Sequence, residues 1–129
     1  MLRILHLEDN ALDRELIEHA MAAHGIKGET HWVNSRKTFV SILADVPVDL
    51  VLCDSGAPGF DGDEALVLVR QLQPEAVFVF VTGRCNEDIA KNLSLSGADG
   101  IVRKDKLAEM VHVLPRAFER QGATVRSEP

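Results

Sequence analysis

The chain has no tyrosine, a single tryptophan and only two cysteines. No apolar run approaches the ~20 residues that a membrane helix requires, and no secretory signal opens the sequence. Cys53 and Cys85 form no CxxC pair and have no metal-ligand spacing around them, which argues against a disulfide scaffold or a zinc site. Cys53 reads instead as a small buried hydrophobe. Nothing calls for an oxidising compartment, so the expected location is the cytoplasm. A basic excess is also missing: the formal net charge is −6, which removes the electrostatic footprint of direct nucleic-acid binding. What remains is 46% hydrophobic and 26% charged, ordinary for a soluble globular chain of 129 residues with a proper core. One domain is expected over residues 1–122, with 123–129 as a frayed tail.

Apolar runs and turn chemistry alternate along the sequence. Leu2–Leu7 reads as a first strand running into Glu8, Asp9 and Asn10. Asn10 caps a helix whose first turn carries Asp13, where the macrodipole favours negative charge. Leu12, Leu16, Ala20 and Ala23 repeat at helical spacing, and Gly25 fits the position just past the end. His19 and His24 read as solvated surface residues. Thr30–Val33 is a short edge strand, and Ser35 caps a helix to about Ala44 with Phe39, Ile42 and Leu43 inward.

Leu50–Cys53 is too short for a helix and reads as a strand buried on both faces, ending at Asp54. Ser55-Gly56-Ala57-Pro58-Gly59 is dense turn chemistry. Asp61 and Glu64 form a capping pattern for a helix from about Gly62 to Leu72, with Ala65, Leu66 and Val69 on one stripe and Pro74 after it. Ala76–Val81 is β-branched and aromatic throughout and ends at Thr82-Gly83. A weaker helix is expected over about Asn86–Leu95. Gly100–Arg103 is the last strand, followed by Lys104, and Asp105 is a candidate cap for the final helix. Pro115 should kink that helix near Val111 or begin a second helical piece at Leu114. Five strands alternating with five helices on short connections predict an α/β fold, a doubly wound parallel sheet with right-handed crossovers.

In such a sheet the carboxyl ends of the strands share one rim, where ligands bind. That rim collects Glu8, Asp9, Asp54, Thr82 and Lys104. Three crowded carboxylates repel unless a cation offsets them. Mg2+ suits such a set, being a hard cation held by carboxylates, phosphate and water. Asp54 is then a nucleophile that forms an acyl phosphate. Lys104 and the metal would offset charge on the phosphoryl group, and Thr82 would donate to it. Gly56 and Gly83 leave room for the backbone to approach.

Ile4-Leu5-His6-Leu7-Glu8-Asp9-Asn10, Asp54-x-x-x-Pro58-x-x-Asp61-Gly62, Phe80-Val81-Thr82-Gly83 and Gly97-Ala98-Asp99-Gly100-Ile101-Val102-Arg103-Lys104 together resemble the receiver domain of two-component response regulators. The likeness covers essentially the whole chain, in order. It implies a flavodoxin-like five-stranded sheet in the order 2-1-3-4-5. It also implies an acidic pair, Glu8 and Asp9, that holds Mg2+ together with Asp54 and the backbone carbonyl of Gly56. Asp54 matches the phosphoacceptor, supplied by a sensor histidine kinase or a histidine phosphotransfer protein. Thr82 and Lys104 match the switch hydroxyl and the phosphate-contacting lysine. The downstream partner would read the face made by the fourth helix, fifth strand and last helix, and homodimer formation is left open.

This sequence departs from the family at three places. Ile101 stands at the switch position where Tyr or Phe is usual, so the aromatic reporter of activation is missing. Lys104-Asp105 replaces a Lys-Pro step that is often cis; a non-proline cis bond costs ~3–4 kcal/mol, so a trans bond is expected. Ala57 precedes the loop proline where a larger hydrophobe is common. The expectation is a phosphorylatable switch that catalyses its own phosphorylation and dephosphorylation rather than a conventional enzyme. A receiver-like module that binds partners without phosphorylation is the alternative suggested by Ile101 and Asp105. An aspartyl-phosphate hydrolase would want a carboxylate where Gly56 stands, and a flavin site would want aromatic-rich loops at the rim. Promoter binding is not expected of these residues alone, and the chain reads either as a stand-alone shuttle or as a receiver cut from a hybrid kinase or longer regulator. The Lys104-Asp105 step leans toward a phosphorelay component.

Overall fold

The structure is a computed structural model that describes residues 2–55, 61–83, 91–92 and 95–121. Its elements are β1 (Leu2–Leu7), α1 (Ala11–Ala23), β2 (Gly28–Val33), α2 (Arg36–Asp45), β3 (Leu50–Cys53), α3 (Gly62–Leu72), β4 (Val77–Thr82), β5 (Gly100–Arg103), a 3₁₀ segment (Lys104–Glu109) and α4 (Met110–Arg120). The helix expected over Asn86–Leu95 lies largely outside the described residues, as does the tail expected over 123–129. All strand pairings are parallel, and the order is β2-β1-β3-β4-β5, as the resemblance implies.

Side-chain alternation along each strand divides the core into two layers. Leu5, Leu7, Val51, Cys53, Phe78 and Phe80 meet Phe39 and Leu43 of α2 and Ala65, Leu66 and Val69 of α3. Ile4, Leu50, Leu52, Val77, Val79, Val81 and Val102 meet Ile17 and Met21 of α1 and Met110, Leu114, Ala117 and Phe118 of α4. β3 and β4 are buried along their whole length, which is why their sequences are apolar runs without alternation.

Three of the four expected caps are where the sequence placed them; Asp105 caps no helix, because its carboxylate pairs with Arg103, and the final helix begins later, after Glu109, with no side-chain cap. Asn10 accepts from the Asp13 N–H, Ser35 from the Thr38 N–H and Asp61 from the Asp63 N–H. Gly25 takes a φ of 75°, the left-handed conformation a glycine adopts freely after a helix.

Two expectations need correction. The Leu12–Leu16 repeat is not the buried stripe of α1: those residues are 64% and 50% exposed, and Ile17 and Met21 carry the packing. Both registers have helical spacing, and the contact with the sheet decides between them. The helical segment after β5 is also not broken at Pro115. Helix α4 runs through that residue, and the non-helical backbone lies upstream at Lys106, whose φ of −139° falls inside the 3₁₀ segment. Pro115 is the sixth of the eleven residues of α4, so it withholds one N–H from the helix without ending it.

Asp99, just before β5, locks the far end of the sheet. It accepts from the Phe78 N–H at 2.9 Å, from Arg70 at 3.0 Å and from Gln121 at 3.0 Å. Arg70 also donates to the carbonyls of Ala76 and Gly97. Gln73 ties α2 to β3, accepting from Val48 N–H and donating to the Leu43 and Val46 carbonyls.

Candidate functional site

The parallel ladder delivers the rim residues by register. Leu7 pairs with Cys53, so Glu8 and Asp54 leave adjacent strands at the same height. The Asp54 N–H still bonds the Leu7 carbonyl at 3.0 Å, and the Glu8 N–H bonds the Val33 carbonyl at 3.0 Å. Thr82 and Arg103 are likewise paired, which places Lys104 at the same edge. Glu8, Asp54 and Thr82 are buried, whereas Asp9 is exposed.

Oxygen atoms of Glu8, Asp9 and Asp54 all lie within 4.8 Å of one another. Lys104 reaches into this group: its ammonium is 2.8 Å from Glu8 Oε1, 2.8 Å from Asp13 Oδ2 and 3.6 Å from Asp54 Oδ2. The Glu8 contact is an ion pair without hydrogen-bond geometry, leaving a buried carboxylate oxygen with no hydrogen-bond partner. Three clustered carboxylates, one of them with a buried oxygen that no hydrogen bond satisfies, form a set that could hold a hard divalent cation.

The electrostatics reflect this crowding. Burial, with the Asp54 charge adding to it, pushes Glu8 up to about 7 despite the opposing pull of Lys104. For Lys104, burial works against the charge, but its close contacts with Asp13 and Glu8, together with the charge of Asp54, outweigh it. The ammonium is held above the ordinary lysine range. Burial also drives the Cys53 thiol up, with the nearby carboxylates acting the same way, so this cysteine is inert packing.

The structure thus brings together Glu8, Asp9, Asp54 and Lys104. Thr82 joins through Ser55, whose hydroxyl donates to Thr82 Oγ1 at 2.9 Å. Ile101 is partly buried and packs on the α2–α3 side of the sheet. Gly56 lies outside the described residues, as do Ala57, Arg84 and Cys85. Among the described residues no peptide bond is cis, so Lys104-Asp105 is trans, as expected, and the lysine reaches the acidic group all the same.

Some site residues were not anticipated. Asp13 was read only as a first-turn charge, and its contact with Lys104 spans 91 positions, beyond any local signal. Ser55 was read only as turn chemistry. Trp32 donates from its indole to the Glu8 carbonyl at 2.6 Å and lies under the Arg14 guanidinium, 4.5 Å from ring centre to carbon. His6 is buried beneath the rim, and neither ring nitrogen has a hydrogen-bond partner among the described residues.

A doubly wound parallel sheet with an acidic cluster and a lysine at its carboxyl rim defines the class of this protein. The family model for the response regulator receiver domain matches residues 4–114. The chain belongs to that family. It is 29% identical to the regulatory protein AtoC of Escherichia coli over 121 residues, covering 93% of this chain and 26% of that protein. It is 30% identical to the hydrogenase transcriptional regulatory protein HoxA of Cupriavidus necator, covering 70% of this chain and 19% of that protein. The chain therefore spans about a quarter or less of these relatives. Among solved structures it resembles the signal receiver domain of an HD domain-containing protein from Pseudomonas fluorescens (TM-score 0.77, 22% identity, 98% of each chain). It also resembles a CheY-like receiver domain from Methanospirillum hungatei (TM-score 0.75, 19% identity, 95% and 97% of the two chains). Among the described residues no helix is long and apolar enough to cross a membrane.

Proposed function

We propose that this receiver domain is a phosphoacceptor switch in a two-component system or phosphorelay, with Asp54 as the residue modified. The observation that carries the reading is the joint placement of Glu8, Asp9 and Asp54 within 4.8 Å, with the Lys104 ammonium beside them. An Asp54 carboxylate oxygen attacks the phosphorus of a phosphohistidine on a sensor kinase or phosphotransfer protein. The P–O bond forms as the P–N bond breaks, and the electron pair returns to the imidazole. Lys104 offsets negative charge on the phosphoryl oxygens, and the Thr82 hydroxyl donates to one of them. Glu8, Asp9, Asp54 and the Gly56 carbonyl would hold Mg2+, which when bound would supply further positive charge to offset the phosphoryl group. Hydrolysis reverses the modification: water attacks phosphorus, the carboxylate leaves, and inorganic phosphate is released.

Phosphorylation adds about −1.5 to −2 charge at the rim and shifts an existing equilibrium of the loops after β3 and β4. Thr82 and Ile101 are the switch positions, and the segment before β5, with β5 and α4, is the face offered to the downstream partner. The test is incubation with Mg2+ and acetyl phosphate followed by intact mass. A single phosphate-sized gain that Asp54→Asn abolishes supports the reading. No gain, or one that survives Asp54→Asn, leaves the chain a partner-binding module that works without phosphorylation.

A further inference from the structure

We propose that Asp13 is a positioning residue for Lys104, competing with the phosphoryl site for its ammonium and so limiting the rate of phosphorylation. This inference rests on the phosphoacceptor reading of Asp54. Three carboxylates compete for one cation, and the distances rank them. Asp13 and Glu8 each stand 2.8 Å from the ammonium, whereas Asp54 stands at 3.6 Å. The Glu8 contact lacks hydrogen-bond geometry, so the hydrogen bond goes to Asp13.

Asp13 is well placed to keep it. It sits in the first turn of α1, and its backbone N–H is fixed by the Asn10 cap at 3.0 Å. Lys104 opens the 3₁₀ segment, and its side chain is only 16% exposed, so water competes little for the ammonium. Charge-assisted hydrogen bonds of this length are among the strong ones. A phosphoryl group on Asp54 therefore gains Lys104 only as Lys104 leaves Asp13. The exchange also unties α1 from the segment that leads into α4, although no part of Asp13 touches the reacting atoms.

The test is a double-mutant cycle on the intact chain, with acetyl phosphate as donor and saturating Mg2+. In the reaction followed, the Asp54–phosphorus bond forms as the bond from phosphorus to the acetate oxygen breaks. Initial rates are read by intact mass for the wild type, Asp13→Asn, Lys104→Met and the double variant. With Lys104 present, Asp13→Asn should raise the rate about tenfold, and with methionine at 104 the same change should move it less than about twofold. No rise with Lys104 present, or an equal rise in both backgrounds, overturns the proposal; the second result would mean that the Asp13 charge acts without the lysine. A parallel urea-unfolding cycle on the same proteins reads the Asp13–Lys104 pair without phosphate. If the wild type takes no phosphate, the Asp54 reading fails and the positioning role falls with it, even where the urea cycle shows the pair. If the wild type is modified and Asp13→Asn matches it, the positioning role fails alone.

Discussion

His6 in β1 and Glu8 just after it are buried ionisable side chains whose proton affinities are displaced in opposite directions, which makes a sharp pH experiment. Burial, reinforced by Lys104 and Arg14, lowers His6 from 6.5 to about 4, and burial raises Glu8 from 4.5 to about 7. The signs follow from linkage. Between about 4 and 6.5 the unfolded chain protonates His6 and the folded one does not. That contribution to stability is complete above 6.5 and is lost as pH falls through about 4. Between 4.5 and about 7 the folded chain keeps a proton on Glu8 that the unfolded chain has released. That contribution is complete below 4.5 and is lost as pH rises through about 7. At about 1.4 kcal/mol for each pH unit of displacement, either group alone carries on the order of 3 kcal/mol. Over the window they share, from 4.5 to 6.5, the two slopes oppose and nearly cancel in the wild type. His6→Leu removes one slope and Glu8→Gln the other. His6→Leu should also gain about 1–3 kcal/mol near neutral pH, because the imidazole's buried nitrogens lack partners and leucine has none to satisfy. Urea unfolding followed by Trp32 fluorescence, with a chelator present, gives the curves from pH 4.5 to 8. The advantage of His6→Leu should grow toward acid and that of Glu8→Gln toward base. Advantages that stay constant with pH would refute the argument for the group concerned.

Three further outcomes are expected. Asp54→Asn or Asp9→Asn removes a repelling carboxylate, so without metal the melting temperature should stay level or rise; a marked fall would make these groups structural. Asp99→Ala strips partners from the buried Phe78 N–H and from Arg70, and should lower stability by about 2–4 kcal/mol in urea unfolding. Gly62→Ala would bring a Cβ to 2.7 Å from Phe80 Cε1. Phe80 is itself held edge-on against Phe78 at 5.0 Å, so a net loss of about 1–2 kcal/mol is expected despite the better helix propensity of alanine.

The sheet was legible because β3 and β4 are buried along their whole length. Leu50–Cys53 and the apolar run ending at Thr82 leave no other short, turn-bounded reading, and their ends point to the rim. Glu8, Asp9, Asp54 and Lys104 followed from those ends alone, since register carries each to one edge. What escaped was everything decided between elements. The buried face of α1 depends on how the helix rolls on the sheet, and Leu12 and Ile17 satisfy helical spacing equally well. Asp13 has a sufficient local explanation as a first-turn charge, which conceals its hydrogen bond to Lys104. Pro115 announces a break, yet α4 continues through it and the non-helical residue lies earlier, at Lys106.

Two of the family departures, Asp105 and Ile101, leave the cluster of Glu8, Asp9, Asp54 and Lys104 assembled. Asp105 replaces the usual proline, yet Lys104 still contacts Glu8 and Asp13, because the position of the lysine is set by β5 pairing with β4 through Thr82 and Arg103. Asp105 itself turns outward into a two-pronged ion pair with Arg103, at 3.1 and 2.9 Å, away from the acidic group. Ile101 points to the α2–α3 side of the sheet, the layer that holds Phe78 and Phe80, where a β-branched side chain fills space without a polar tip to reach outward. An aromatic swing at this position is therefore unavailable. Among the described residues, the polar contacts at the rim include the Ser55–Thr82 hydroxyl pair and the ion pairs of Lys104 with Asp13, Glu8 and Asp54. Any rearrangement that begins at Asp54 meets those contacts first, and those of Lys104 lead directly into the 3₁₀ segment and α4.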